Sequence, residues 1–165
     1  MNKTLFATLF IIVSCAFAPS QKTTVIFFGD SITELGVKDK PHKGYILIVD
    51  SLCRSENKSG QYDFTGSGIS GNKVYDLYLR LEEDVLSKNP DIVVIWVGVN
   101  DVWHKTLLGT GTDPDKFEKF YLAILKKLKE RNIRPVFCTP AVVGEKTDFS
   151  NPLDGDLNRY SNIIR

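Results

Sequence analysis

Three short stretches carry residues whose types and spacing could do chemistry. The first is Gly29-Asp30-Ser31-Ile32-Thr33, directly after an apolar run. A serine on a tight strand-to-helix turn is held out at the rim of a sheet, where its hydroxyl can attack a carbonyl carbon. The second is Gly66-Ser67-Gly68-Ile69-Ser70-Gly71, which matches G-x-G-x-x-G letter for letter. Such a turn can seat the pyrophosphate of a dinucleotide on a helix N-terminus. Its backbone has a second use, because an exposed N–H at Gly71 can donate to a developing oxyanion. The third is Gly98-Val99-Asn100-Asp101. An asparagine at the end of a buried strand is costly unless it has partners or a task, and its amide can point across the mouth of the sheet toward Ser31.

Each stretch has a competing structural explanation. Asp30 and Ser31 can simply cap a turn, and Asn100 can close an Asx-turn. Two other chemistries that begin after a first strand do not fit. A haloacid-dehalogenase phosphatase needs an aspartate where Ile32 stands, and an α/β-hydrolase elbow needs glycine where Thr33 stands. For Gly66, Gly68 and Gly71 as a dinucleotide module, the turn falls in the second βα unit instead of the first. The acidic residues at a suitable distance, Glu82, Glu83 and Asp84, lie inside a helical pattern and not at the end of the next strand.

The elements that position these stretches alternate strand and helix. Residues 24–28 (TVIFF) read as a short strand, 43–54 as a helix with an apolar stripe at Tyr45, Ile48, Val49 and Leu52, and 61–65 as a second strand leading into the turn 66–71. Asn72 can cap a helix carrying Val74, Leu77, Tyr78, Leu81 and Val85, which Pro90 ends. Residues 91–97 (DIVVIWV) are nearly continuous apolar, as a parallel strand buried on both faces should be. Asp113 and Pro114 open a helix whose apolar face is Phe117, Phe120, Tyr121, Ile124, Leu125 and Leu128. Residues 135–139 form a fourth strand and 153–165 a last helix. This order implies a parallel α/β sheet covered by helices on both faces, with ligands at the carboxyl ends of the strands.

Gly29-Asp30-Ser31, Gly68-x-Ser70-Gly71 and Gly98-x-Asn100-Asp101, each after its own strand and in this order, resemble the SGNH (GDSL-type) esterase and lipase superfamily over residues 24–165. The resemblance implies a flavodoxin-like three-layer α/β/α fold with strand order 2-1-3-4-5. It also implies hydrolysis of carboxylic esters without a cofactor or metal. Ser31 is then the nucleophile, and the Ser31 N–H, the Gly71 N–H and the Asn100 side chain form the oxyanion hole. In that family a D-x-x-H motif after the fifth strand supplies the base and its orienting acid. The sequence stops at Arg165, before any fifth strand. The expectation is therefore a chain cut short before this motif, lacking its last βα unit, with an exposed fourth-strand edge, marginal stability and no activity of its own. A non-catalytic ester- or glycan-binding remnant is the alternative. Asp101-Val102-Trp103-His104 spells D-x-x-H but shares a loop with Asn100, so His104 would meet Ser31 from the wrong side. Trp103, His104 and Asp30 are assigned to the substrate pocket instead. His42 sits in a polar loop and reads as solvated.

Residues 1–20 carry Lys3 and then an uncharged apolar stretch, the pattern of an export signal too short to span a bilayer. Its removal leaves a formally neutral domain of 145 residues, 21–165. The end of this segment admits either a lipobox ending at Cys15 or cleavage before Gln21. The chain is thus expected to be exported, periplasmic or secreted, with lipidation at Cys15 as the second route. Cys53 and Cys138 read as small buried hydrophobes. Of the 165 residues 42% are hydrophobic and 25% charged, with a net charge of +1, which suits one globular domain and excludes the basic footprint of a nucleic-acid binder. The expected partner is an ester of a small molecule, carbohydrate or lipid, with no nucleic acid and no stable membrane span; the motifs do not specify an oligomeric state.

Overall fold

Four parallel strands form one sheet in the order β2-β1-β3-β4: β1 (Thr23–Gly29), β2 (Tyr62–Gly68), β3 (Ile92–Trp96) and β4 (Arg134–Cys138). The structure is a computed structural model that describes residues 21–39, 44–56, 58, 60–144, 146–148 and 150–165. The expected export segment with Cys15, and His42, lie outside the described residues. Parallel strands cannot be joined by tight hairpins. The crossovers run through α1 (Ser31–Lys38), α2 (Tyr45–Ser55), α3 (Val74–Asp84), α4 (Val99–Leu108) and α5 (Pro114–Glu130), and α6 (Asp154–Ile164) follows β4. The arrangement is the expected α/β fold, and β2-β1-β3-β4 is the start of the expected order.

Successive side chains of β1 point to opposite faces, and each face meets a helix layer. Ile26 and Phe28 join Val93 and Ile95 against Leu77 and Leu81 of α3 and Ile124 and Leu128 of α5. Val25 and Phe27 join Ile92 against Ile46 of α2, with Tyr45 and Val49 packed alongside. Both faces are covered, so the continuous apolar run of β1 is buried from Val25 onward. The long apolar face of α5 lies as its spacing implies, with Phe117, Tyr121, Ile124 and Leu128 buried. Among the described residues no helix is long and apolar enough to cross a membrane.

Several elements differ from the sequence reading. β2 does not end at Thr65 but runs to Gly68, because Gly66, Ser67 and Gly68 pair with Phe27, Phe28 and Gly29. Two of the three glycines of the G-x-G-x-x-G string therefore sit in a strand and not in a phosphate-binding turn. The next helix begins at Val74 and is capped at Lys73, not Asn72; the Asp76 carboxylate accepts the Lys73 N–H at 2.8 Å. The stretch after β3 is not a loop. Asn100 and the D-x-x-H string lie in α4, which starts after Gly98 and ends at Gly109, both at positive φ. On α2 the inward face is Tyr45, Ile46 and Val49, whereas Ile48 and Leu52 are exposed. Cys53 and Cys138 are free thiols and half-buried instead of buried.

Candidate active site

The register sets the site. Gly29 pairs with Gly68 on one side and with Trp96 on the other, so β1, β2 and β3 end level. Neighbouring strands lie about 4.8 Å apart, and the stretches that follow them meet at one rim, at the point where the chain switches from one side of β1 to the other. Ser31 is the first residue of α1 and is half-buried. Asp30 caps this helix, its Oδ1 accepting the Ile32 N–H at 3.0 Å. The Ser31 N–H belongs to the first helical turn, whose donors have no intrahelical acceptor and lie at the positive end of the helix dipole.

The stretch after β2 is pressed onto α1. A side chain at Gly68 would put its Cβ 2.1 Å from the Glu34 nitrogen, so only glycine allows this approach. The Ile69 N–H donates to the Gly29 carbonyl at 3.2 Å, and Ser70 donates through N and Oγ to the Glu34 carboxylate at 2.8 and 2.5 Å. The Asn72 N–H closes the turn onto the Ile69 carbonyl at 3.2 Å. Between them Gly71 takes φ +78°, a conformation that disfavours any residue with a Cβ.

The stretch after β3 is tied to the second one. Asn100 is buried in the first turn of α4, and its Nδ2 donates to the Asn72 carbonyl at 3.1 Å. The amide thus has one committed N–H and a second still to place. Asp101 is fully buried, and its two carboxylate oxygens accept the Val74 N–H at the start of α3 at 3.2 and 3.3 Å.

Burial dominates the electrostatics. It pushes the Asp101 carboxyl up to about 7, against the opposing effect of hydrogen bonds and of Lys73. It raises Asp30 to about 6; the Asp30 Oδ2 is buried without a hydrogen-bond partner among the described residues. Glu34 is held at about 2 by its hydrogen bonds from Lys38 and Ser70, so it is an anion at any working pH. Burial and the charge of Lys73 lower the His104 pKa, which favours the neutral imidazole.

Asp30, Ser31, Gly71 and Asn100 are thereby gathered at one rim. His104 stands beside them, with Cε1 3.9 Å from where a Cβ on Gly71 would sit; Trp103 is its ring neighbour at 5.4 Å between centroids and is exposed. The Asp101 carboxylate is committed to the Val74 N–H, so Asp101-Val102-Trp103-His104 forms no Asp–His pair among the described residues. Two supporting residues escaped the sequence reading. Glu34 lies four residues before Lys38, which reads as an ordinary surface ion pair on a helix. Arg80 stands four before Asp84 and reads the same way. A backbone N–H at a helix start, a second N–H from a glycine turn and a side-chain amide N–H are the kinds of donor that can receive the negative charge of a tetrahedral oxyanion.

Residues 27–165 match the model of the GDSL-like lipase/acylhydrolase family. An acetylxylan esterase from Geobacillus stearothermophilus is 34% identical over 155 residues, covering 86% of this chain and 69% of that protein. The solved structure of an acetyl xylan esterase, AlAXEase, aligns with TM-score 0.80 and 60% identity over 86% of this chain and 70% of that one. Axe2, an acetylxylan esterase from Geobacillus stearothermophilus, aligns with TM-score 0.73 and 26% identity over 88% of this chain and 72% of that one. Structures of Axe2 include catalytic mutants in which a serine, an aspartate, or a histidine three positions after the aspartate is replaced by alanine.

Proposed function

The chain belongs to the GDSL-like lipase/acylhydrolase family of ester hydrolases, and we propose that it removes acyl groups, acetyl in the first place, from carbohydrate esters through an acyl-enzyme on Ser31. The observation that carries this is the level ending of β1, β2 and β3, which brings Ser31, Gly71 and Asn100 to one rim. The relatives named above, all acetylxylan esterases, support the substrate class.

The Ser31 Oγ attacks the ester carbonyl as its proton passes to a histidine base. The carbonyl oxygen becomes an oxyanion held by the Ser31 N–H, the Gly71 N–H and the second N–H of Asn100 Nδ2. Collapse expels the sugar hydroxyl, which takes the proton from the imidazolium. Water then attacks the acyl carbonyl as the same base takes its proton, and collapse of this second tetrahedral intermediate releases the carboxylic acid while the imidazolium returns the proton to the Ser31 Oγ. With Asp101 engaged at Val74, the base and its orienting carboxylate are assigned to a D-x-x-H pair outside residues 1–165, as the aspartate and histidine of Axe2 are spaced. Trp103 and His104 border the acyl and leaving groups. Residues 1–20 are assigned as an export signal and 21–165 as part of one hydrolase domain, which places the protein outside the cytoplasm with its polymeric substrate.

The test is hydrolysis of p-nitrophenyl acetate and of acetylated xylan by the full-length protein and its Ser31→Ala variant. Loss of kcat by about 10⁴-fold or more is expected. Equal rates in the two proteins would end the assignment, and ligand binding without turnover in the unaltered protein would favour the non-catalytic alternative.

A further inference from the structure

Arg80 lies on α3, two turns past the Gly71 bend, and its side chain is only 14% exposed. A guanidinium has five N–H donors in a fixed plane, and here all five are used. Nε donates to Asn72 Oδ1 at 2.7 Å. Nη1 donates to Ser67 Oγ at 3.1 Å and to the Asp84 carboxylate. Nη2 donates to the Gly29 carbonyl at 2.8 Å and to the Ser67 carbonyl at 3.1 Å. The plane also stacks over the buried Phe28 ring, with Cζ 4.4 Å from the centroid.

Asp84 offsets the charge, which a buried guanidinium requires. The other four acceptors lie on the segments that carry the candidate oxyanion donors. Gly29 is the last residue of β1, two before Ser31. Ser67 is the next-to-last residue of β2. Asn72 follows Gly71, and its backbone carbonyl receives the Asn100 amide. The Gly29 carbonyl additionally accepts the Ile69 N–H, so one oxygen joins the first two stretches and the guanidinium. Holding α3 to the sheet does not need this arrangement, because Val74, Leu77 and Leu81 already bury that helix in the core.

We propose that Arg80 is the positioning residue of the oxyanion hole: its guanidinium sets the ends of β1 and β2 and the Asn72 turn against one another, and so fixes the mutual distances of the Ser31 N–H, the Gly71 N–H and the Asn100 amide. The inference rests on the acyl-enzyme assignment above. Arg80 touches no substrate and acts through the groups it holds. A lysine has three donors on a single nitrogen and no plane, so it can keep the charge near Asp84 without serving the four rim acceptors. A misplacement of about 1 Å in a catalytic array costs on the order of 10²-fold in rate.

The full-length protein, Arg80→Lys, Asn72→Ala and Ser31→Ala are compared with p-nitrophenyl acetate, below the temperature at which any of them melts. For Arg80→Lys, kcat is expected to fall about 10- to 100-fold with KM within about 3-fold, because the loss falls on the transition state and not on substrate binding. Affinity for phenylboronic acid, which forms a tetrahedral adduct on a serine, should fall in parallel. Asn72→Ala removes one acceptor and leaves Arg80 and the core in place; it should lower kcat in the same direction by a smaller factor. Arg80→Lys with a lowered Tm but unchanged kcat and boronate affinity would reduce Arg80 to a structural anchor and overturn the proposal. Should Arg80→Lys fail to fold, an unchanged kcat in Asn72→Ala would overturn it, and a reduced kcat at constant KM would uphold it. Turnover that survives in Ser31→Ala refutes the acyl-enzyme assignment itself, whereas a dead Ser31→Ala beside a fully active Arg80→Lys refutes only the role of Arg80.

Discussion

β1 reads TTVIFFG and β4 reads RPVFC, two short apolar strands of similar appearance that end up in opposite circumstances. β1 has a strand on each side and helices on both faces, and its residues are buried from Val25 to Gly29. β4 pairs with β3 alone among the described strands, and Val136 and Phe137 stay 42% and 39% exposed. The ends differ as much as the middles. Side chains tie the rim at β1, β2 and β3 from three directions: Glu34 on Ser70, Arg80 on Gly29, Ser67 and Asn72, and Asp101 on Val74. After β4 the bonds are local to one segment, with Asn151 Nδ2 donating to the Val143 carbonyl at 2.7 Å and to Asp154 Oδ1 at 2.6 Å. Precision is concentrated where three strand ends must present groups to one atom of a substrate.

Substitutions can break or sharpen this contrast. The largest effect is expected at the rim: Asn100→Ala in the full-length protein should lower kcat/KM by about 10²- to 10³-fold, the usual consequence of losing one oxyanion donor, while KM changes little. A steady-state assay with a short acyl ester reads it. Next comes a pair of stability measurements by denaturant unfolding. Leu77→Ala, beneath the rim and fully buried, should cost about 2–5 kcal/mol, whereas Val136→Ala on β4 should cost roughly 1 kcal/mol or less. Equal costs at the two positions would erase the distinction between the buried layer beneath the rim and β4.

A third prediction concerns pH. The folded-state pKa of Asp101 is raised from 3.8 to about 7, so between these values the folded chain holds its proton more tightly than the unfolded chain does. The resulting stability is fully present below pH 4 and is lost as the pH rises through 7. Asp30, raised to about 6, acts in the same direction over a lower range. Thermal melts of the wild type should therefore decline from pH 4 to pH 8, and Asp101→Asn should flatten a large part of that decline. A wild-type Tm that rises over this range would contradict the assignment of burial as the cause. The smallest effect is expected far from the rim. Arg54→Ala, which removes an exposed ion pair with Asp50 on α2, should leave Tm and activity unchanged within error.

Residue patterns foretold the rim better than they foretold what supports it. Gly29-Asp30-Ser31, the second glycine turn and Asn100 were legible because each combines a backbone need with a chemical group at the end of an apolar run. The helical state of Asn100 and Asp101 was not, since a ten-residue helix bounded by Gly98 and Gly109 carries little apolar periodicity of its own. The extension of β2 through Gly66-Ser67-Gly68 was hidden for a related reason: glycine disfavours strands by propensity, and only pairing with Phe27, Phe28 and Gly29 overrides this. Ile48 and Leu52 misled because they are apolar at helical spacing, yet the inward face of α2 is fixed by Ile46 and Tyr45 against β1. Arg80 and Glu34 were invisible as site residues. Each has an oppositely charged residue four positions away, a pattern shared by solvated helix surfaces, and only the three-dimensional approach of the strand ends shows what else they hold.

The central claim is that Ser31 is the residue that carries the acyl group. The most direct measurement is reaction of the full-length protein with a fluorophosphonate, followed by mass spectrometry of the intact chain and of its peptides. One adduct per chain, on the peptide containing Ser31, with ester hydrolysis lost in proportion to labelling, is the predicted result. Full labelling at another residue, or hydrolysis that persists once Ser31 is fully modified, would contradict it.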